Sequence, residues 1–323
     1  MSDTDKSTAV AAVVIGRNEG ARLIRCLASL DPARRRVIYV DSGSTDGSVA
    51  AARQAGAEVV TLDMTVPFTA ARARNAGLER LETVSDAAFV QVIDGDCELQ
   101  DGWIETGCAF LEAHPDVAIV AGRLRERFPE ATLWNRLADA EWETPVGEAG
   151  AVGGIAMLRL SAIRAVGGYR DSLIAGEEPE LCLRLRRAGW KIWRLEAEMA
   201  LHDIAMTRFS QWWRRTARNG FAIAEGADLH GASTDRYRVA ETRRALVGGV
   251  GVPLVALAGA WVTPWALLVL LLWPAQVLRL RGRHMNWTEA FFLTLGKVPE
   301  AQGVLSYWKQ RATGHRRHLM EYK

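Results

Sequence analysis

Residues 89–93 (FVQVI) form a short, nearly apolar run that stops abruptly at Asp94-Gly95-Asp96. Such a run reads as a buried strand that carries two carboxylates to the carboxyl edge of a sheet, where open α/β sheets bind their ligands. Two carboxylates this close repel each other unless a cation shares the site. Mg²⁺ or Mn²⁺, completed by the oxygens of a bound diphosphate, would answer that need. Asp-Gly also suits a polar turn after a strand, so the rest of the chain has to decide between the two readings.

The preceding stretch repeats one rhythm. Apolar runs at 10–15, 37–40 and 58–62 alternate with helical spacing at 19–30 (Leu23, Leu27, Leu30), 48–55 and 69–81. This alternation predicts parallel βαβ units in an α/β sheet, with strands apolar on both faces. A helix at 101–113 and a strand at 117–121 continue it; residues 123–146 read as irregular, with Trp134 and Trp142 in a segment able to face a ligand. Residues 151–160 read as a strand whose Gly153-Gly154 permits close backbone approach. No G-x-x-x-x-G-K-S/T and no strand-linked G-x-G-x-x-G occurs. A diphosphate would therefore be held by a metal and by basic side chains.

The chain has 323 residues, room for one large domain or two, and its 49% hydrophobic and 24% charged residues exclude disorder. The net charge of +2 hides an asymmetry: 17 Lys/Arg against 8 Asp/Glu follow from His202 onward, and 23 against 30 precede it. A basic C-terminal part suits an anionic membrane surface, and no nucleic-acid-binding signature accompanies it. Cys26, Cys97, Cys108 and Cys182 are scattered, which predicts free thiols in a reducing compartment. The opening MSDTDKSTAV lacks the apolar segment of a signal peptide, so the catalytic part is expected to stay in the cytosol.

A second acidic cluster lies in GEEPELCLRLRRAGW, residues 176–190. Pro179 suits a first helical position, which would make Glu178 the N-cap. A carboxylate in a partly closed cleft can act as a general base; Glu177, Glu178 and Glu180 equally complement a helix dipole. His202 ends the run KIWRLEAEMALH and reads as a third metal ligand or as a structural histidine. FSQWWRRTARNG follows, suited to clamp a diphosphate or to lie on a membrane.

Residues 245–278 contain no charged residue over 34 positions. That is long for one membrane-spanning helix and short for two. Arg236, Arg238, Arg243 and Arg244 precede it; Arg279, Arg281 and Arg283 follow. Basic flanks on both sides place both ends in the cytosol. The stretch reads as a hairpin turning near Thr263-Pro264 that inserts into or crosses a bilayer, followed by an amphipathic interfacial tail at 284–323.

With these pieces together, residues 8–225 resemble the family 2 glycosyltransferases, inverting enzymes of the GT-A fold. AVVIGRNEGARLIRCLASL resembles the family's opening strand and helix. IYVDSGSTDGS resembles its Val-Asp-Asp/Ser-Gly-Ser-Thr-Asp-Gly loop, ARARNAGLE its Arg-Asn segment, IDGDCEL its Asp-x-Asp motif and GEEPELCLRLRRAGW its Gly-Glu-Asp-x-Glu-Leu motif. The resemblance implies a mixed, mostly parallel Rossmann-like sheet over residues 1–225; the uncharged stretch and its basic flanks make 226–323 the membrane-associated region. It implies that Asp41 holds the nucleoside with Arg17 and Glu19 nearby, and that Arg74 and Asn75 face the nucleotide. Asp94 would contact ribose or metal, Asp96 and His202 would bind Mn²⁺ or Mg²⁺, and Glu178 or Glu177 would be the base. Glu178 stands where many members have Asp. Gln211 and Arg214 match part of the Gln-x-x-Arg-Trp motif of processive members, but Arg215 replaces its Trp.

The implied activity is transfer of a sugar from a nucleotide-diphosphate donor, a UDP-sugar being expected; the uncharged stretch and its basic flanks, not the resemblance, point to a lipid or lipid-linked glycan as the acceptor. The implied place is the cytoplasmic face of the plasma membrane. A nucleotidyltransferase of related fold and an inactive membrane-anchored scaffold are the competing readings.

Overall fold

The computed structural model describes residues 10–283 and 285–314, so the polar opening stretch and the end of the tail read above lie outside the described residues. The chain separates into two compact units between Ala205 and Met206. The sequence division at 225/226 differs because the helix Phe209–His230 packs against Lys297–Thr313 and so belongs with the second unit.

The first unit is a nine-stranded mixed sheet flanked by helices. Its elements begin β1 (Val10–Gly16), α1 (Ala21–Leu30), β2 (Val37–Asp41), α2 (Ser48–Gln54), β3 (Glu58–Thr61), α3 (Ala70–Val84), β4 (Phe89–Asp94) and β5 (Cys97–Leu99). They continue α4 (Trp103–Ala113), β6 (Val117–Glu126), α5 (Leu133–Trp142), β7 (Gly147–Glu148), β8 (Ala156–Arg159), α6 (Leu160–Ala165), α7 (Glu177–Arg187) and β9 (Lys191–His202). The strand order is β3-β2-β1-β4-β8-β6-β9-β5, with β7 added on β9. β1 to β4, β6 and β9 run one way; β5, β7 and β8 run against them.

The apolar runs became strands because both faces are covered: Val13, Val14, Ile38, Val40 and Val92 are all buried. α3 lies so close to the sheet that a Cβ at Gly77 would run into Val13. Two readings fail locally. Residues 123–146 are regular over most of their length: β6 continues to Glu126, and Thr132 caps α5 by accepting from Asn135 N. Of 151–160, only Ala156–Arg159 is strand, because β8 pairs with β4 only from Ala156 onward.

The second unit is helical: α8 (Phe209–His230), α9 (Val239–Leu246), a π-helical turn (Val247–Gly251), α10 (Val252–Ala260), a 3₁₀ segment (Pro264–Leu271), α11 (Leu272–Arg281), α12 (Trp287–Leu295) and α13 (Lys297–Thr313). Small residues set its packing. A Cβ at Gly303 would run into the Ala217 carbonyl of α8, and one at Gly249 into the Lys297 carbonyl. α13 therefore carries a packed face, Ala301 and Val304, besides the exposed Leu305 and Trp308 expected of the tail. Gln211, part of the partial processive motif, accepts from Thr207 N and Arg208 N and caps α8. The uncharged stretch does fold back on itself at Trp261–Thr263, with Pro264 opening the returning arm.

Candidate active site

Three neighbouring strand ends collect the acidic residues. Register puts Gly16 of β1 beside Asp41 of β2, and Ile15 of β1 beside Asp94 of β4. Gly95 N donates to the Ile15 carbonyl at 2.8 Å, so the chain turns across β1 before Asp96. Glu19 packs against this turn: a Cβ on Gly95 would come within 3.2 Å of its Cγ. Glu19 also pairs with Arg22 at 2.7 Å. Arg17 is exposed just past β1.

Asp41 is buried. Its Oδ1 accepts from the Tyr39 hydroxyl at 3.1 Å and its Oδ2 from Gly43 N and Ser44 N at 3.1 and 3.0 Å. The carboxylate thus shapes the SGSTDGS loop from inside. Asn18, with φ +56°, ties that loop to the one after β1 by accepting from Thr45 N at 2.7 Å.

Arg74 and Asn75, expected to face the nucleotide, are each held by neighbouring residues. Arg74 is enclosed, its side chain 3% exposed. Its Nη2 pairs with Asp94 Oδ1 at 2.9 Å and its Nη1 with Glu177 Oε1 at 2.9 Å and Glu178 Oε1 at 2.7 Å. Gly154 leaves room for this arrangement, since a Cβ there would meet the guanidinium and Glu178. Burial alone would lower the Arg74 pKa, but Glu178, Asp94 and Glu177 raise it well above its ordinary value. The cation is fixed there, and it holds three carboxylates in place. Asn75 is spent on the loop before α7: its amide donates to Tyr169 O at 2.7 Å and Asp171 Oδ1 at 2.6 Å, and its carbonyl accepts from Tyr169 N at 2.9 Å.

α7 starts earlier than its proline suggests. Gly176, with φ +80°, is the N-cap, and Glu177, Glu178 and Pro179 are the first three helical residues. The first-turn amides have no intrahelical partner, so proline is tolerated there beyond the first position. Both glutamates of the pair reach Arg74, but Glu178 keeps more solvent contact, 15% of its side chain against 6% for Glu177. Desolvation, opposed by Arg74 and helped by Glu177 and Asp94, raises the Glu178 pKa to about 7.

Across Gly95, Asp96 faces a different partner. Its Oδ2 lies 3.2 Å from His202 Nε2. The antiparallel pairing of β5 with β9 sets Cys97 opposite His202 and creates this meeting. One donor atom each from Asp96, Cys97 and His202 lie within 4.8 Å of one another. Burial and the nearby Asp96 and Asp94 push the Cys97 thiol well up; the Asp96 carboxylate and the His202 imidazole are the oxygen and nitrogen donors of the group. That oxygen–nitrogen set fits a hard divalent ion such as Mn²⁺ or Mg²⁺.

Two supports were missed in the sequence. Trp142, at the end of α5, stacks on His202 with ring centroids 4.8 Å apart. Glu126 is buried opposite His202, and its Oε2 accepts from Ile204 N at 3.1 Å, bracing the chain just past the histidine. The signal lay in Thr132 and the helical stretch behind it, which reads as irregular only when Trp134 and Trp142 are taken as loop residues.

Acidic residues at adjacent strand ends, a cation-locked carboxylate pair and an Asp–His pair thus gather at one edge of a mixed α/β sheet. Residues 11–165 match the model of glycosyl transferase family 2, and through this domain the chain belongs to the family 2 glycosyltransferases. It is 31% identical over 237 residues to the pre-mycofactocin glycosyltransferase of Mycobacterium tuberculosis, covering 68% of this chain and 48% of that protein. The chain thus spans about half the length of that relative. It is 30% identical over 206 residues to the succinoglycan biosynthesis protein ExoA of Rhizobium meliloti, covering 59% of this chain and 62% of the relative. The fold matches that of the mannosyltransferase PcManGT from Pyrobaculum calidifontis, solved with GDP-Man and Mn²⁺, with a TM-score of 0.61 at 18% identity over 92% of this chain and 87% of that one. The sheet and its helices are therefore of the GT-A type.

Proposed function

We propose that this chain is a metal-dependent, inverting glycosyltransferase. It moves a sugar from a nucleotide-diphosphate donor to a hydroxyl of a lipid or lipid-linked glycan at the cytoplasmic face of the plasma membrane. The observation that carries the reading is the pair of arrangements on either side of Gly95: Asp96 with His202, and Asp94 with Glu177 and Glu178 around Arg74. The Mn²⁺ bound in the Pyrobaculum calidifontis mannosyltransferase of like fold supports a divalent ion here.

Asp96 and His202 would hold that ion. When bound, it neutralises charge developing on the departing diphosphate. Asp41, Glu19 and Arg17 border the crevice that would take the nucleoside. Glu178 accepts the proton of the acceptor hydroxyl as its oxygen attacks the anomeric carbon. The bond from that carbon to the diphosphate oxygen breaks on the opposite side, so one displacement inverts the configuration. Arg74 keeps Glu178 aimed and Asp94 anchored, and Glu177 shares its charge. The lipid acceptor is favoured by the uncharged hairpin and its basic flanks, because a soluble acceptor would need neither.

The test is hydrolysis and transfer across a panel of UDP-, GDP- and dTDP-sugars, with and without Mn²⁺. Release of nucleoside diphosphate from one donor, dependent on the ion, supports the reading. Release of inorganic diphosphate from a nucleoside triphosphate would favour a nucleotidyltransferase, and binding of no nucleotide would favour a scaffold.

A further inference from the structure

We propose that the hairpin of the second unit is a one-leaflet anchor: it enters a bilayer to about its middle and returns without crossing. The inference rests on the membrane reading above and adds the depth.

Both arms, Val252–Ala260 and Pro264–Leu271, are apolar on every side. A helix resting in the headgroup region has one polar face; arms without one belong in hydrocarbon. Val252 and Ala256 are buried, but the rest of the apolar surface is largely uncovered: Leu254, Val255, Leu257, Leu268 and Leu271 are exposed, rising at the turn to 94% for Trp261 and 88% for Val262. Backbone groups in hydrocarbon must be satisfied internally. The turn does this itself: Trp261 N donates to Ala258 O, Val262 N and Thr263 N to Gly259 O, and Ala266 N to Thr263 O. The arms touch through Gly259 and Ala266, a small-residue contact of the kind that joins helices in lipid.

Length decides between entering and crossing. By composition, the continuous helix Val239–Ala260 is long enough to span. Its lower part, however, is occupied by protein: Ala245 is buried and Gly249 lies against the Lys297 carbonyl. Trp273 Nε1 donates to Gly248 O at 3.1 Å and pins the returning arm at the same level. Above this foot rise the 9 residues of Val252–Ala260, about 14 Å at ~1.5 Å each. The 8 residues of the 3₁₀ arm give about 16 Å at ~2 Å each. The two independent lengths agree with each other and with half of a ~30 Å hydrocarbon core. Exposed Arg243 and Arg244 precede the apolar stretch and Arg279, Arg281 and Arg283 follow it, a basic collar at the foot suited to anionic headgroups.

The test is side-specific labelling of a Val262→Cys chain bound to sealed phosphatidylethanolamine–phosphatidylglycerol vesicles, using a membrane-impermeant maleimide. The four native cysteines are buried and give little background, and Val262 has almost no packing to lose. The expected result is no labelling from outside or from reagent trapped inside, and full labelling in detergent. An Arg283→Cys control should label from outside alone. Labelling of the Val262→Cys chain from the inside would mean that the hairpin crosses, overturning the one-leaflet depth while the membrane reading survives. Its labelling from outside, or failure to float with vesicles, would overturn both.

Discussion

His202 Nε2 sits 3.2 Å from Asp96 Oδ2, joining residues 106 positions apart in the chain. Strand pairing brings them together, and Trp142 keeps the ring in place by stacking on it. Asp96→Ala should therefore abolish turnover and Mn²⁺-dependent nucleotide binding while circular dichroism stays native. Trp142→Leu should leave the donor atoms in place but loosen the ring, weakening Mn²⁺ affinity by about 10–100-fold, as when a group orienting a metal ligand is lost. Calorimetric titration with Mn²⁺ reads both. Unchanged activity of Asp96→Ala in EDTA would remove the metal from the account.

Arg74 is the enclosed cation among Asp94, Glu177 and Glu178. Arg74→Met should cost about 3–5 kcal/mol, the usual penalty for removing one partner of a buried ion pair. The loss should be greatest where the carboxylates are ionised, so the melting-temperature deficit should be larger at pH 8 than at pH 5. Arg74→Lys restores the charge without the fork and should recover part of the stability. Equal deficits at both pH values would show that packing, and not charge, is what Arg74 supplies.

The sheet was legible because strands covered on both faces leave continuous apolar runs, as at Val10–Gly16 and Val37–Asp41. The Asp-Gly-Asp stop and the turn at Thr263-Pro264 were legible for similar reasons: charge and proline end elements. What stayed hidden is tertiary. Nothing local in ARARNAGLE says that Arg74 turns to Glu177, a carboxylate 103 residues later, or that Asn75 is consumed by the Tyr169–Asp171 loop. The α7 start is not fixed by Pro179, because proline marks the first turn and not a single position within it. Trp142 gave no sign of its histidine partner, since that contact depends on where α5 leaves the sheet.

α8 and α13 cross backbone to backbone at Gly303, where a Cβ would run into the Ala217 carbonyl. Gly303→Val should force the helices apart. Overpacking of this kind costs about 1–3 kcal/mol, and contact with backbone leaves no side chain to yield. Limited proteolysis should then open the second unit at lower temperature while residues of the first unit resist as before. A wild-type digestion pattern would mean that the two helices tolerate a wider crossing.

The last expectation concerns the base. Glu178 is held by Arg74 yet remains the more exposed of the pair, and burial raises its pKa to about 7. A general base works only when ionised. At saturating Mn²⁺ and donor, kcat should therefore be low below pH 6, rise through an apparent pKa near 7, and level off above it. Glu178→Gln removes the proton acceptor and keeps the volume, so kcat should fall by about 10²–10⁴-fold with donor affinity nearly unchanged. What activity remains should lose its acid limb. Glu177→Gln should retain more activity, because Glu178 is still present, but with one acidic neighbour fewer its limb should move to lower pH. Initial rates from pH 5 to 9 for the three proteins, beside donor binding by calorimetry, make the comparison. If Glu177→Gln is the inactive variant and Glu178→Gln keeps the acid limb, the proton goes to Glu177 instead. If both variants keep it, the limb belongs to another group, and neither glutamate takes the acceptor proton.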